Sequence, residues 1–227
     1  MKNGWKRGFR VAAVAAAALL IAGGAVAVAE AAHHGHAKRN VVKQLARVGV
    51  HADVSLVRAD GSTDAFAVDR GQVTVASAAS LTLQRRDGKA VTIGLNSSTI
   101  VRGTIAIGKP ALVFSRSGVA FRVRAPGTAM APPLAPSAAK AKIVHVQVNF
   151  VRVDGSTGSV TLDRGQVTAT SSSSLTIKRD DGKSVTFTIG AEARVRGKLA
   201  VGGRALVLSR DGAAFRVLAR ASATASS

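Results

Sequence analysis

Setting residue n against residue n+94 aligns residues 50–125 of this chain with residues 144–219 without a gap, and more than half of the pairs are identical. Asp60-Gly61-Ser62-Thr63 recurs as Asp154-Gly155-Ser156-Thr157, and Asp69-Arg70-Gly71-Gln72-Val73-Thr74 as Asp163-Arg164-Gly165-Gln166-Val167-Thr168. Repetition of this length means that one fold is made twice. Each copy is near the lower size limit for folding alone, and the chain has no cysteine to staple it. Each core must therefore rest on aliphatic packing.

Within each copy, apolar and polar residues alternate at the period of a strand with one buried face. Val144, Val146, Val148 and Phe150, with His145, Gln147 and Asn149 between them, are the clearest case. Phe66, Phe114, Phe121, Phe150, Phe187 and Phe215 read as core residues. Asp-Gly at 60, 87, 154, 181 and 211 and Arg-Gly at 70, 102, 164 and 196 read as turns between the strands. The pattern predicts an all-β chain of two tandem small antiparallel β-barrel or sandwich modules, at residues 50–125 and 143–220, with roughly six to eight strands each. Between them, residues 126–142 contain Pro126, Pro132, Pro133 and Pro136 among Ala, Ser and Gly. This predicts an extended linker that separates the modules rather than packing them together. Residues 221–227 read as a disordered tail.

An N-terminal hydrophobic helix is expected in front. Lys2, Lys6, Arg7 and Arg10 precede an uncharged run from Val11 to Ala29. Residues 1–29 are the shape of a signal peptide, with the uncleaved membrane anchor as the alternative. Either places the remainder outside the cytoplasm, secreted or tethered to the cytoplasmic membrane by residues 11–29. Residues 30–49 read as a His-containing stalk, with a short helix at 40–48. His33, His34 and His36 have imidazoles that can take Zn or Cu, but no other ligand type accompanies them, so a solvated stalk without metal is the preferred reading.

Several short motifs recur with the duplication: Gly71-Gln72-Val73 and Gly165-Gln166-Val167, Ser80 to Thr82 and Ser174 to Thr176, the Asp-Gly-Lys turns, Val101 to Gly103 and Val195 to Gly197, and a final Phe-Arg-Val strand. Over residues 70–125 and 164–219 this pattern resembles a family of exported bacterial β-domains of unknown function, often present as repeats behind a signal peptide. The resemblance implies a small barrel-like domain and supplies no catalytic residues.

The residues themselves offer no catalytic constellation either. Asp60, Asp69 and Asp87 and their repeats stand beside glycine or Arg-Gly, where aspartate caps its own turn. His51 and His145 fall on the polar faces of their strands without an evident partner, so no catalytic residue, cofactor or metal is assigned and the chain is read as non-enzymatic.

Charge is the one feature that asks for a function: 32 Lys and Arg stand against 12 Asp and Glu, a net +20. Arg58, Arg85, Arg102, Arg116 and Arg122 recur as Arg152, Arg179, Arg196, Arg210 and Arg216. A basic stripe built from these ten would attract anionic envelope polymers or lipid head groups with strong salt dependence. Nucleic acid is disfavoured, because single-strand binders stack bases on exposed aromatics and the modules lack Trp and Tyr. The expectation is an exported cell-envelope protein whose β-modules are structural or binding elements, with salt-sensitive polyanion binding as the alternative and an envelope enzyme as the third.

Overall fold

The computed structural model of the chain describes residues 49–127 and 141–220. The expected leader at 1–29, the helix at 40–48, the cluster of His33, His34 and His36, most of the linker and the tail at 221–227 lie outside the described residues. Gly49, placed at the end of the stalk by sequence, opens the first strand.

The described residues form an all-β structure. The first copy supplies β1 (Gly49–Val57), β2 (Thr63–Ala76), β3 (Ser80–Arg85), β4 (Ala90–Gly94), β5 (Ile100–Arg102), β6 (Pro110–Arg116) and β7 (Val119–Arg124). The second supplies β8 (Lys142–Val151), β9 (Thr157–Thr170), β10 (Ser174–Arg179), β11 (Ser184–Arg196), β12 (Arg204–Arg210) and β13 (Ala213–Arg220), where β11 alone spans the positions of β4 and β5. All thirteen belong to one sheet.

In each copy the pairings close into a ring, β2-β3-β4-β7-β6 and back to β2, and β9-β10-β11-β13-β12 and back to β9. The expectation of purely antiparallel modules is corrected here. β4 and β5 pair with β7 in parallel, as does β11 with β13, because the chain crosses to β6 before returning beside β4. Closure depends on β2 serving two partners at once. Gly71 faces Arg85 on β3 and Ala111 on β6, and a Cβ there would sit 2.5 Å from the Gln84 carbonyl oxygen. Arg70-Gly71 and Arg164-Gly165, which read as turns, are therefore strand interior, and glycine is required by close approach rather than by a bend. Inside the rings, Val73, Leu81, Leu83, Ile93, Val113 and Val123 pack in one copy and Val167, Leu175, Ile177, Phe187, Val207 and Val217 in the other.

The expectation that the linker holds the modules apart is also corrected. β1 pairs antiparallel with β8, so that Val54 faces Val146 and Ala52 faces Val148. A third core spans both copies, joining Ala52, Val54, Phe66, Val68 and Phe114 to Val146, Val148, Phe150, Val160, Leu162 and Leu208. Phe121 and Phe215 pack against it. The cause is visible in the strands themselves. β1 and β8 each have one apolar face and one edge not used by their own copy, and the partner with a matching pattern is the other copy.

Candidate functional site

Asp69 and Asp163 do not cap turns. They lie within β2 and β9 at 3% and 2% exposure, which corrects the reading made from their Arg-Gly neighbours. On β3, Leu81, Leu83 and Arg85 alternate onto the buried face, so Arg85 shares that face with the core leucines at the last residue of the strand. Its Nη1 donates to Asp69 Oδ1 at 2.8 Å and its Nε to Asp87 Oδ1 at 3.1 Å. Burial opposes its charge, yet Asp87 and Asp69 together hold the guanidinium above its ordinary value, and the hydrogen bond from Arg85 holds Asp87 below the usual carboxylate range. The second copy repeats the arrangement, with Arg179 Nη1 at 2.9 Å from Asp163 and a further bond to Asp181. Asp60 and Asp154 do behave as sequence predicts, each accepting the N–H and hydroxyl of the serine two residues on.

His51 and His145, which lacked partners by sequence, complete these networks. His51 Nδ1 lies 2.8 Å from Asp69 Oδ1 and its Nε2 2.9 Å from Asp53 Oδ2. The bonds to Asp53 and then Asp69 outweigh burial and push its pKa up to about 9. His145 Nδ1 lies 2.7 Å from Asp163 Oδ1, but residue 147 is Gln where residue 53 is Asp. Both networks sit on the polar face of the seam between β1 and β8.

A groove of about 430 Å³ opens on that face, lined by Asp53, Ser55, Ser115, Ser117, His145 and Lys183 among others. Ala65 and Ala67 also line it. Their second-copy equivalents are Ser159 and Thr161, and Ser117 becomes Asp211. There Thr161 Oγ1 lies 2.5 Å from Ser209 Oγ, and Ser159 bonds Asp211 at 3.4 Å. Ser55 faces His145 across the seam, which brings a serine beside a histidine that is bonded to an aspartate. No hydrogen bond joins Ser55 to His145, and Asp163 also accepts a hydrogen bond from Arg179.

The ten arginines singled out by sequence divide into three sets. Arg85 and Arg179 are buried within ion pairs. Arg58 and Arg116 both bind Asp64, at 2.6 and 2.7 Å, while Arg152 donates to the Thr157 carbonyl and lies over Phe150, and Arg210 is partly buried with its Nε unpartnered. Arg102, Arg122, Arg196 and Arg216 alone gather at one kind of place, the parallel strand pair of each copy. There Arg102 faces Arg124 across β5 and β7, and Arg122 lies two residues along on the same face. Burial first, then repulsion from Arg122 and Arg102, holds the Arg124 guanidinium below its ordinary value. In the second copy Arg194 faces Arg216, with Arg196 two residues along.

Arg124 and Arg194 were missed because selecting for repeated arginines discards them. Residue 218 is Leu where 124 is Arg, and residue 100 is Ile where 194 is Arg. Each copy thus places three arginines on its parallel pair, using two shared positions and one private one. The connection following each pair also carries an exposed aliphatic tip, Ile107 at 68% and Val201 at 65%. No protein family and no curated protein matches the chain.

Proposed function

We propose that the chain is an exported, non-catalytic protein of the cell envelope whose two β-modules bind anionic envelope polymers through the arginines of their parallel strand pairs. Each ring serves as a small barrel of the exported type that the turn motifs resemble, and the basic, apolar leader supports export.

The observation that carries the reading is the trade between positions 100 and 124 and their equivalents. One copy loses an arginine where the other gains one, yet three remain together in each. Like charges held side by side repel, and an anion relieves that repulsion. The non-catalytic part of the reading rests on the Arg-Asp-His networks. Both copies join an arginine to two aspartates and tie a histidine to a carboxylate already committed to that arginine.

Titrating the full chain with short polyphosphate at increasing salt tests the reading. With three cations per site, affinity falls by about one order of magnitude between about 50 and 200 mM salt. Affinity indifferent to salt, or binding unaffected by replacing Arg102, Arg122, Arg124, Arg194, Arg196 and Arg216 together with Gln, rejects it.

A further inference from the structure

The two arginine groups stand at the ends of rings whose shared-seam strands run in opposite directions. β2, β1, β8 and β9 are successive neighbours, each antiparallel to the next. β2 and β9 therefore run in opposite directions, and the twist over three pairings, roughly 60–75° in total, does not bring them parallel. In the first ring the connection from β5 to β6 hangs at the C-terminal end of β2, where Gly108 donates its N–H to the Val73 carbonyl at 2.8 Å. The second ring does the same at the C-terminal end of β9, through Gly202 and Val167 at 2.8 Å. Arg102 and Arg124 end β5 and β7 at the first of these ends, and Arg196 ends β11 at the second. The core shared across the seam holds the two ends in one body.

We propose that the chain is bivalent: each end takes a segment of a different anionic polymer, so that the protein cross-links neighbouring chains. This rests on the anionic-polymer reading above and adds a geometry to it. Two equivalent sites at oppositely directed strand ends cannot both lie along one short segment, but they can join two long ones, and the gain from the second contact depends on that span. A polymer is favoured over a lipid surface because the arginines lie in rows two residues apart along strands, a spacing that tracks a linear chain.

The test uses the full chain with polyphosphate of two lengths. Short labelled polyphosphate reports binding and stoichiometry, and light scattering with long polyphosphate reports cross-linking. Wild type is expected to bind two short chains and to scatter strongly at intermediate ratios, then less when protein is in excess. Replacing Arg102, Arg122 and Arg124 with Glu, or Arg194, Arg196 and Arg216 with Glu, leaves one short chain bound and lowers scattering by about tenfold or more. Gln replacements give a second series if a Glu variant loses its β circular dichroism. One site in wild type, or undiminished scattering by a one-ended variant, overturns the proposal while leaving polymer binding intact. Failure of wild type to bind short polyphosphate at low salt overturns the underlying reading instead. Clumping of phosphatidylglycerol vesicles with no response to polyphosphate overturns the polymer assignment in favour of lipid.

Discussion

Asp53 faces Gln147 across the β1–β8 seam, and the two occupy the same position in the two copies, 94 residues apart. They mark the axis that relates the copies: Val54 faces Val146 and Ala52 faces Val148, an exchange of equivalent positions about this pair. Two aspartates there would put like charges directly opposite each other. One aspartate avoids this and bonds to His51, whose contact holds the Asp53 carboxyl below its usual range. Replacing Asp53 with Gln makes the axis symmetric and removes the largest cause of the His51 shift. The His51 titration followed by NMR is then expected to fall from about 9 by roughly one unit or more. An unmoved titration would show that Asp69 alone sets it.

The same shift fixes a pH dependence of stability. The folded value of His51 lies near 9, above the ordinary 6.5. Its contribution is complete below the lower value and is lost as pH rises through the higher one. After allowance for solvent screening around half-exposed Asp53, the amount is on the order of 1–2 kcal/mol. Urea midpoints of wild type and His51→Gln are expected to differ at pH 6 and to converge by about pH 10. A gap that stays constant across that range would mean that His51 stabilises by packing rather than by charge.

Removing Asp69 strands part of a buried cation. Arg85 keeps Asp87 but loses the partner of its Nη1, and Asp69→Ala is expected to cost roughly 3 kcal/mol, with Asp163→Ala similar. Arg85→Lys should be nearly as costly, since one ammonium cannot span Asp69 and Asp87 as the planar fork does. Denaturant unfolding measures both. A loss below about 1 kcal/mol for either aspartate would show that water replaces it readily.

The strands were legible because alternation of Val, Leu and Phe with polar residues is a local signal, and so were the Asp60 and Asp154 turns, which are closed by residues two positions away. Asp69 was misread for the converse reason. Its sequence neighbours are those of a turn, whereas its true partners, Arg85 and His51, are 16 and 18 residues distant and are brought in only by the β2–β3 and β1–β2 registers. The seam was hidden because β1 and β8 show the same one-faced pattern whether that face meets its own copy or the other. Among the arginines, repetition identified Arg102, Arg122, Arg196 and Arg216 but also drew in Arg85 and Arg179, which repeat together with their buried aspartate partners.

A lone copy would leave β1 with a bare edge and its side of the joint core uncovered, and two such copies would satisfy each other through the contact that β1 now makes with β8. An ancestral pair of identical subunits would have met only as concentration allowed; covalent joining replaces that dependence with an effective concentration on the order of millimolar. It also breaks a constraint that identical subunits cannot escape. Once the halves are encoded separately, the residue on the symmetry axis can be acidic in one and an amide in the other, and small residues can hollow one flank while larger ones fill its twin.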